Sequence, residues 1–178
     1  MAKHHDSSPG IWLVRYKQGS GHKHVTYDDV VVEALCFGWV DSRPRTLDDD
    51  RSQLLLTPRK ATSRWSAVNK ERVERPTREG RMETAGLAVV QAAKGGGSWD
   101  ALNAVEQLAE PSDLAQALDD DPAARVQWEA FPRSTKRAIL EWITTAKAPE
   151  TRRRRIDETV SEARVGRRAN QWRQPKGR

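Results

Sequence analysis

The chain has 178 residues, of which 37% are hydrophobic and 31% are charged, and its mean hydropathy is −0.81. No apolar run approaches the roughly 18 residues of a membrane-spanning helix, and the single cysteine, Cys36, excludes an internal disulfide framework. The composition therefore excludes integral membrane, collagen-like and disulfide-rich proteins, and it indicates one domain or one domain with a small addition.

The first residues of the chain are polar, and residues 1–9 predict a disordered start. No apolar segment typical of a signal peptide is seen near the N-terminus, and a single thiol suits a reducing compartment. We therefore expect a cytoplasmic protein that does not insert into membranes.

The first half of the chain alternates predicted strands and helices. Residues 11–17 are rich in β-forming side chains and predict a strand, followed by a second, short strand at residues 24–26. A helix is predicted from Thr26, as its N-cap, to Phe37, and Gly38 ends it. An extended stretch follows, and residues 54–57 predict a buried strand that Pro58 ends.

Two more helices are predicted before a glycine-rich linker. The first begins after Ser63 or Ser66 and ends at Pro76, and the second spans residues 81–94. The segment Gly95–Ser98 is typical of a linker, so we place a boundary there and predict an α+β domain over residues 10–94, with a small sheet covered by helices.

The second half predicts helices throughout. Asp121 followed by Pro122 is a strong helix start, and Pro149 begins a last helix that ends at Gly166. We predict a helical module of three to four helices over residues 95–166, followed by a basic, disordered tail over residues 167–178.

The residues that carry reactive chemistry are sparse. The four histidines all precede residue 25, so no histidine base follows a serine, and His22 and His24 lack the further ligands of a zinc site. Cys36 lies near a helix C-terminus, where the negative potential raises a thiol pKa and opposes nucleophilic attack. We therefore expect no catalytic residue, no metal and no cofactor.

One cluster of polar and aromatic residues around the start of the second predicted helix is typical of a ligand pocket. A helix N-terminus offers free N–H groups to an anion, and nearby cations and an aromatic face add to such a site. The candidate ligand-binding residues, including an opposite wall from the first helix and the strand after it, are Glu33, Trp39, Asp41, Arg59, Trp65, Ser66, Asn69 and Lys70. The same residues also fit a structural role, in which Ser66 caps the helix, Trp65 packs and Asn69 bonds the backbone. Arg59 and Asp41 could likewise form a structural ion pair.

A second candidate surface is basic. Residues 151–178 carry 10 basic and 3 acidic side chains, and such a segment attracts polyanions. The candidate polyanion-binding residues are Lys147, Arg152, Arg153, Arg154 and Arg155. Four successive arginines spread around a helix, however, and Arg155 has Glu158 or Glu162 as a predicted helix partner.

Three stretches together resemble the bacterial YdeI/OmpD-associated family, also called bacteriocin-protection proteins: EALCFGWVDS (Glu33–Ser42), TPRKATSRWSAVNK (Thr57–Lys70) with GRMETAGL (Gly80–Leu87), and LEWITTAKAPETRRRRI (Leu140–Ile156). The resemblance runs from about Ile11 to Arg168. It implies a small α/β domain followed by a helical C-terminal module, and a link to tolerance of cationic antimicrobial peptides. It implies no catalytic mechanism.

These observations lead to one functional hypothesis and two alternatives. The first is a non-enzymatic bacterial binding or stress-protection protein with a small anionic ligand or a protein as its partner. The first alternative is a nucleic-acid-binding accessory protein that uses the basic C-terminal helix and tail. The second is an enzyme of unrecognised mechanism with a pocket in the cluster between Arg59 and Lys70.

Overall fold

The computed structural model describes residues 1–171, which divide into two compact units. The first unit comprises residues 1–101, and the second begins at Leu102. The predicted α+β class, a small sheet with helices followed by a helical module, is confirmed.

The sheet of the first unit has three strands in the order β1-β3-β2, and both neighbouring pairs are antiparallel. The strands are β1 (Ile11–Tyr16), β2 (Trp39–Thr46) and β3 (Arg51–Pro58). The predicted strand at residues 24–26 is wrong. This segment instead leads into the first helix, and Nδ1 of His24 lies 2.7 Å from the carbonyl oxygen of Tyr16.

A β-bulge on β2 decides which side chains face outward. Asp41 pairs with Leu56, but the next pair joins Arg43 to Leu55, so Ser42 is an extra residue on β2. Leu56 is buried in the core, and neighbouring residues of a strand point to opposite faces. Arg43 therefore lies on the face opposite to Leu56, although simple alternation from Asp41 would have turned it inward.

The first helix, α1 (Tyr27–Cys36), covers the inner face of the sheet. Thr26 is its N-cap, because its side chain accepts a hydrogen bond from the backbone N–H of Asp29. The helix ends before Gly38, whose φ of +74° suits glycine. The buried residues between α1 and the sheet are Val30, Ala34, Cys36, Phe37, Trp39, Leu54 and Leu56.

Two helices, α2 (Ala67–Arg78) and α3 (Thr84–Gly95), pack on the other side of α1. Pro76 does not end α2 as predicted but lies inside it, where its buried ring contributes to the core. Gly86 of α3 lies against the end of α1: a Cβ built on it would lie 2.2 Å from the carbonyl oxygen of Cys36. Only glycine permits this approach of the two helices.

The second unit is helical. Its helices are α4 (Asn103–Glu106), α5 (Ser112–Asp119), α6 (Pro122–Ala130), α7 (Arg133–Thr144) and α8 (Pro149–Arg164). Four of them correspond to the predicted module, and the single-turn helix α4 is additional. Asp121 caps α6 and Pro122 is its first residue, as predicted. The core surrounds Trp128, which is fully buried.

The structure also differs from the expected linker and terminal segments. The carbonyl oxygen of His5 accepts a hydrogen bond of 2.9 Å from Trp39 Nε1, which fixes residues expected to be disordered. The predicted linker belongs to the first unit, because the Ser98 hydroxyl donates a hydrogen bond to the Ala61 carbonyl oxygen. In the predicted tail, Ala169 is buried and Arg167 pairs with Glu162, and residues 172–178 lie outside the described residues.

Candidate functional site

Arg59 and Trp65, the centre of the predicted ligand cluster, form an internal contact. The Arg59 guanidinium stacks on the Trp65 ring, with its carbon 3.8 Å from the ring centroid. Arg59 Nη2 donates a hydrogen bond of 2.5 Å to the Arg64 carbonyl oxygen, and the backbone N–H of Arg59 donates one to the Gly38 carbonyl oxygen. Burial lowers the pKa of Arg59 to about 10, against the opposing attraction of Asp41.

The other helix-start residues of the cluster are also engaged within the protein. Ser66 is the N-cap of α2, because its side chain accepts a hydrogen bond from the backbone N–H of Asn69. The Asn69 side chain accepts a hydrogen bond of 3.1 Å from Arg72. Lys70 Nζ lies 3.5 Å from Asp100 and 5.3 Å from the ring centroid of Trp99. Ser66 therefore has the capping role that the sequence left open, whereas the Asn69 side chain bonds Arg72 rather than the backbone.

The three residues of the predicted opposite wall lie in different surroundings. Trp39 is buried and donates to His5 as described above. Asp41 accepts a hydrogen bond of 2.6 Å from the Tyr27 hydroxyl, rather than forming the predicted ion pair with Arg59. Glu33 is exposed on α1, with Oε2 3.6 Å from Nη2 of Arg81. Of these three residues, Glu33 lines the cavity described next.

A cavity of about 420 Å³, here called the α1 cavity, lies beside α1 and the sheet. Its apolar wall includes Val25, Val32 and six residues that belong to or pack against the core cluster beneath α1, namely Met1, Ile11, Leu13, Val30, Ala34 and Leu56. Its charged rim consists of Asp29, Glu33, Arg75 and Arg81. An apolar wall with a few charged groups at the mouth is the usual arrangement of a ligand site.

Of the four rim residues, only Glu33 is among the candidate ligand-binding residues predicted from the sequence. Alternation in β1 indicates that Ile11 and Leu13 face inward, but it does not reveal whether the space beside them is filled. The rim of the α1 cavity combines side chains from α1, α2 and the segment after α2. Their proximity depends on how the helices pack, so no local motif could have found this group.

The pKa of the Cys36 thiol is shifted away from that of an activated nucleophile. Burial raises the pKa of the Cys36 thiol, and the neighbouring Glu33 carboxylate raises it further. The direction is the predicted one, but burial is the larger cause. Burial and the hydrogen bond to Asp41 raise the pKa of Tyr27 to about 12. Among the described residues, no group of three or more His, Cys, Asp or Glu side chains could hold a metal ion.

The predicted basic helix is only partly available to a polyanion. Arg152 pairs with Asp113 at 2.6 Å, which holds the pKa of that carboxyl below its usual range. Arg155 donates hydrogen bonds to the Trp142 carbonyl oxygen and to the Thr145 hydroxyl, in place of the predicted helix pair. The exposed members of the set are Lys147, Arg153 and Arg154.

The second unit contains a charge network that the sequence pattern did not reveal. Arg125 contacts three carboxylates, at 2.8 Å from both Glu110 and Asp119 and 3.3 Å from Glu129. Glu110 also accepts a hydrogen bond of 2.6 Å from Nε1 of the buried Trp128. Arg125 therefore connects three surface segments to the core of the second unit, which is a stabilising role.

Within residues 1–171, no helix has the length and apolar character needed to cross a membrane. The second unit contains the family match: residues 107–166 match the family described as "Bacteriocin-protection, YdeI or OmpD-Associated", and the stretch Leu140–Ile156 lies in this range. Residues 1–89, which include the two stretches in the first unit, match the family described as "Domain of unknown function (DUF8412)". No curated protein and no solved structure shows a significant match to the chain.

The resemblance predicted from the sequence is thus confirmed over residues 107–166. The N-terminal match covers half of the chain. The chain therefore belongs to the DUF8412 family through its first half, and its residues 107–166 are similar to the YdeI/OmpD-associated bacteriocin-protection family.

Proposed function

We propose that this chain is a non-enzymatic bacterial binding protein that contributes to tolerance of cationic antimicrobial peptides or bacteriocins. The description of the family matched by residues 107–166 supports this function. The α1 cavity supplies a binding site in the first unit. The proposed location is the cytoplasm, where the buried free thiol of Cys36 is compatible with a reducing environment.

The α1 cavity is the observation that carries the proposal. Its wall is aliphatic, while two carboxylates, those of Asp29 and Glu33, lie one helical turn apart at its mouth. A cationic amphipathic peptide presents the same two chemistries, because its apolar side chains lie next to lysine or arginine. An apolar side chain of such a peptide would enter the cavity, and a neighbouring ammonium group would meet the carboxylates.

The charge balance around the rim favours a cationic ligand. Arg81 is already engaged, with Nη1 3.0 Å from Glu79 and Nη2 3.6 Å from Glu33. The rim itself carries two carboxylates and two guanidinium groups. When Glu79, which lies outside the rim and shares Arg81 with Glu33, is included, three carboxylates face two guanidinium groups. This local excess of one negative charge attracts cations, and the attraction weakens as salt screens it.

The shifted pKa values favour binding over catalysis. A general acid or nucleophile at neutral pH needs a carboxyl pKa raised, or a thiol pKa lowered, toward 7. Hydrogen bonds from neighbouring groups lower the pKa of the Asp48, Asp113, Asp121 and Glu129 carboxyl groups. The pKa of the Cys36 thiol is shifted upward.

The test is calorimetric titration of the full chain with a synthetic amphipathic peptide of lysine and leucine, and with a matched peptide of glutamate and leucine. We expect the lysine peptide to bind more tightly. The variant Glu33→Lys should weaken that binding at least about fivefold, because it reverses one rim charge. The matched control is Glu158→Lys, an exposed glutamate on α8 of the second unit.

Two results would contradict the proposal: equal binding of both peptides, or wild-type affinity in Glu33→Lys. A second readout is the growth of bacteria that express either protein in the presence of a cationic peptide. We expect the wild-type chain and Glu158→Lys to raise the inhibitory peptide concentration, and Glu33→Lys to raise it less.

A further inference from the structure

The outer face of the sheet, which points away from α1, carries aromatic, aliphatic and basic side chains in rows. Trp12 of β1 pairs with Leu55 of β3, which pairs with Arg43 of β2, so these three side chains form one row. The next row, two residues along each strand, is Val14, Gln53 and Arg45. We use the name outer face for these six residues.

The outer face is open to solvent. Trp12 and Val14 keep 42% and 47% of their accessible surface, and Arg43 and Arg45 are exposed. No acidic side chain of the described residues forms an ion pair with Arg43 or Arg45, whereas Arg51 at the far end of the sheet pairs with Asp48 at 2.6 Å. The two guanidinium groups therefore remain available to an anionic partner.

The spacing of these groups suits an extended polyanion with flat bases. Arg43 and Arg45 lie about 7 Å apart along β2, which matches successive phosphates of an extended strand, and β1 lies about 10 Å away across β3. If the sugar-phosphate backbone lies along the two arginines of β2, a base that extends from it across β3 passes over Leu55 or Gln53. That base then reaches the exposed ring of Trp12 on β1. Base stacking on a sheet aromatic beside a basic track is how many single-strand-binding proteins work.

We infer that the outer face binds single-stranded RNA. The bulge at Ser42 supports the inference, because it places both arginines on the same face as Trp12. A duplex hides the flat faces of its bases and offers only backbone to such a sheet. Gln53 supplies an amide in the second row, between Val14 and Arg45, where it can bond a 2′-hydroxyl, which DNA lacks.

The test is fluorescence anisotropy of a labelled, unstructured oligoribonucleotide of 12 nucleotides, titrated with the full chain at several salt concentrations. We expect binding that weakens as salt increases, with a clear preference over the deoxyribonucleotide of the same sequence and over duplex RNA. The double variant Arg43→Ala/Arg45→Ala should lower the slope of log affinity against log salt by about 1.4, since each phosphate contact contributes about 0.7 for a single strand.

The stacking contribution has its own variants. Trp12→Ala should weaken binding about 5- to 150-fold, whereas Trp12→Phe keeps an aromatic ring and should recover most of the affinity. Because Trp12 is exposed, neither variant should change the far-ultraviolet circular dichroism of the chain. The matched charge control is Arg153→Ala/Arg154→Ala on α8, which removes two exposed arginines of the second unit and should leave the salt slope unchanged.

Several outcomes would overturn the inference. Loss of binding in Arg153→Ala/Arg154→Ala but not in Arg43→Ala/Arg45→Ala would assign RNA to the basic helix. Equal affinity for duplex or for DNA would exclude the stacking or the 2′-hydroxyl contact. No binding at low salt would show that the outer face does not bind RNA. Tighter binding to phosphatidylglycerol vesicles than to RNA would show that the face serves another partner. The variant Glu33→Lys should bind RNA like the wild type, so this test is separate from that of the α1 cavity.

Discussion

The guanidinium carbon of Arg59 lies 3.8 Å from the ring centroid of Trp65, and both side chains are buried in the first unit. Trp65 in turn contacts Trp99, with 4.9 Å between ring centroids. A buried cation is costly unless its surroundings compensate for lost hydration. The ring face and the Arg64 carbonyl oxygen compensate in part, while the buried Nε of Arg59 has no hydrogen-bond partner. These contacts join the end of β3 to the segment that begins α2.

We expect Arg59→Ala to lower the free energy of unfolding by about 2–4 kcal/mol, since it removes a desolvated cation–π contact and a charged hydrogen bond. Arg59→Lys should recover only part of this loss, because an ammonium group lacks the planar surface that stacks on the ring. Urea unfolding followed by circular dichroism measures both variants. A loss below about 0.5 kcal/mol in Arg59→Ala would show that the stack contributes little.

Gly86 tests the packing of α3 against α1. Gly86→Ala should destabilise the chain by at least about 2 kcal/mol, because the new Cβ would meet the backbone of Cys36, which cannot move aside like a side chain. Gly95→Ala, at the end of the same helix, is the control. Nothing lies within 4 Å of its Cβ position, so it should be neutral or stabilising by up to about 1 kcal/mol. Equal thermal stability of the two variants would contradict this packing.

We expect the free energy of unfolding to fall at alkaline pH because of Tyr27. Its pKa rises from 10.0 in the unfolded chain to about 12 in the folded chain, so folding favours the protonated phenol. The stabilisation is complete below pH 10 and is lost as the pH rises from about 10 to 12. Absorbance at about 295 nm during an alkaline titration should show a step near pH 12, and Tyr27→Phe should remove it. Persistence of that step in Tyr27→Phe would contradict its assignment to Tyr27.

We expect the charge network around Arg125 to stabilise the second unit. Arg125→Ala should lower the free energy of unfolding by about 2–3 kcal/mol, because it leaves three neighbouring carboxylates without their shared cation. Arg153→Ala removes the same charge from an exposed position and should change stability by no more than about 0.5 kcal/mol. Thermal unfolding in low salt compares them. Similar losses would mean that net charge, rather than the network, sets stability.

The parts of the fold that depend on neighbouring residues were predictable from the sequence. Thr26 and Asp121 cap their helices as expected, because a cap needs only its own side chain and the next three residues. The positions of Pro76, His24 and Ser42 were not predictable in this way. Pro76 stays in its helix through core packing, His24 bonds a distant carbonyl oxygen, and the bulge at Ser42 arises from pairing with β3.

The candidate sites likewise combine features that were predictable from the sequence with features that depend on tertiary packing. Residue types around Arg59 and Trp65 correctly indicated a dense polar and aromatic cluster, but their contacts are internal. The α1 cavity and the outer face each combine side chains from separate elements, so only the packed structure brings them together. Glu33 was a candidate from the sequence and lines the α1 cavity, whereas the other candidate residues lie elsewhere.

The bulge on β2 also has a consequence for how this protein tolerates changes in length. Because Ser42 stands outside the pairing ladder, a chain that lacked it could still pair Arg43 with Leu55, and every later residue of β2 would keep its side of the sheet. Deletion of Leu55, in contrast, would move the β3 side chains on one side of the gap to the opposite face of the sheet, so that core side chains would face solvent. A relative that is one residue shorter should therefore have its gap at Ser42.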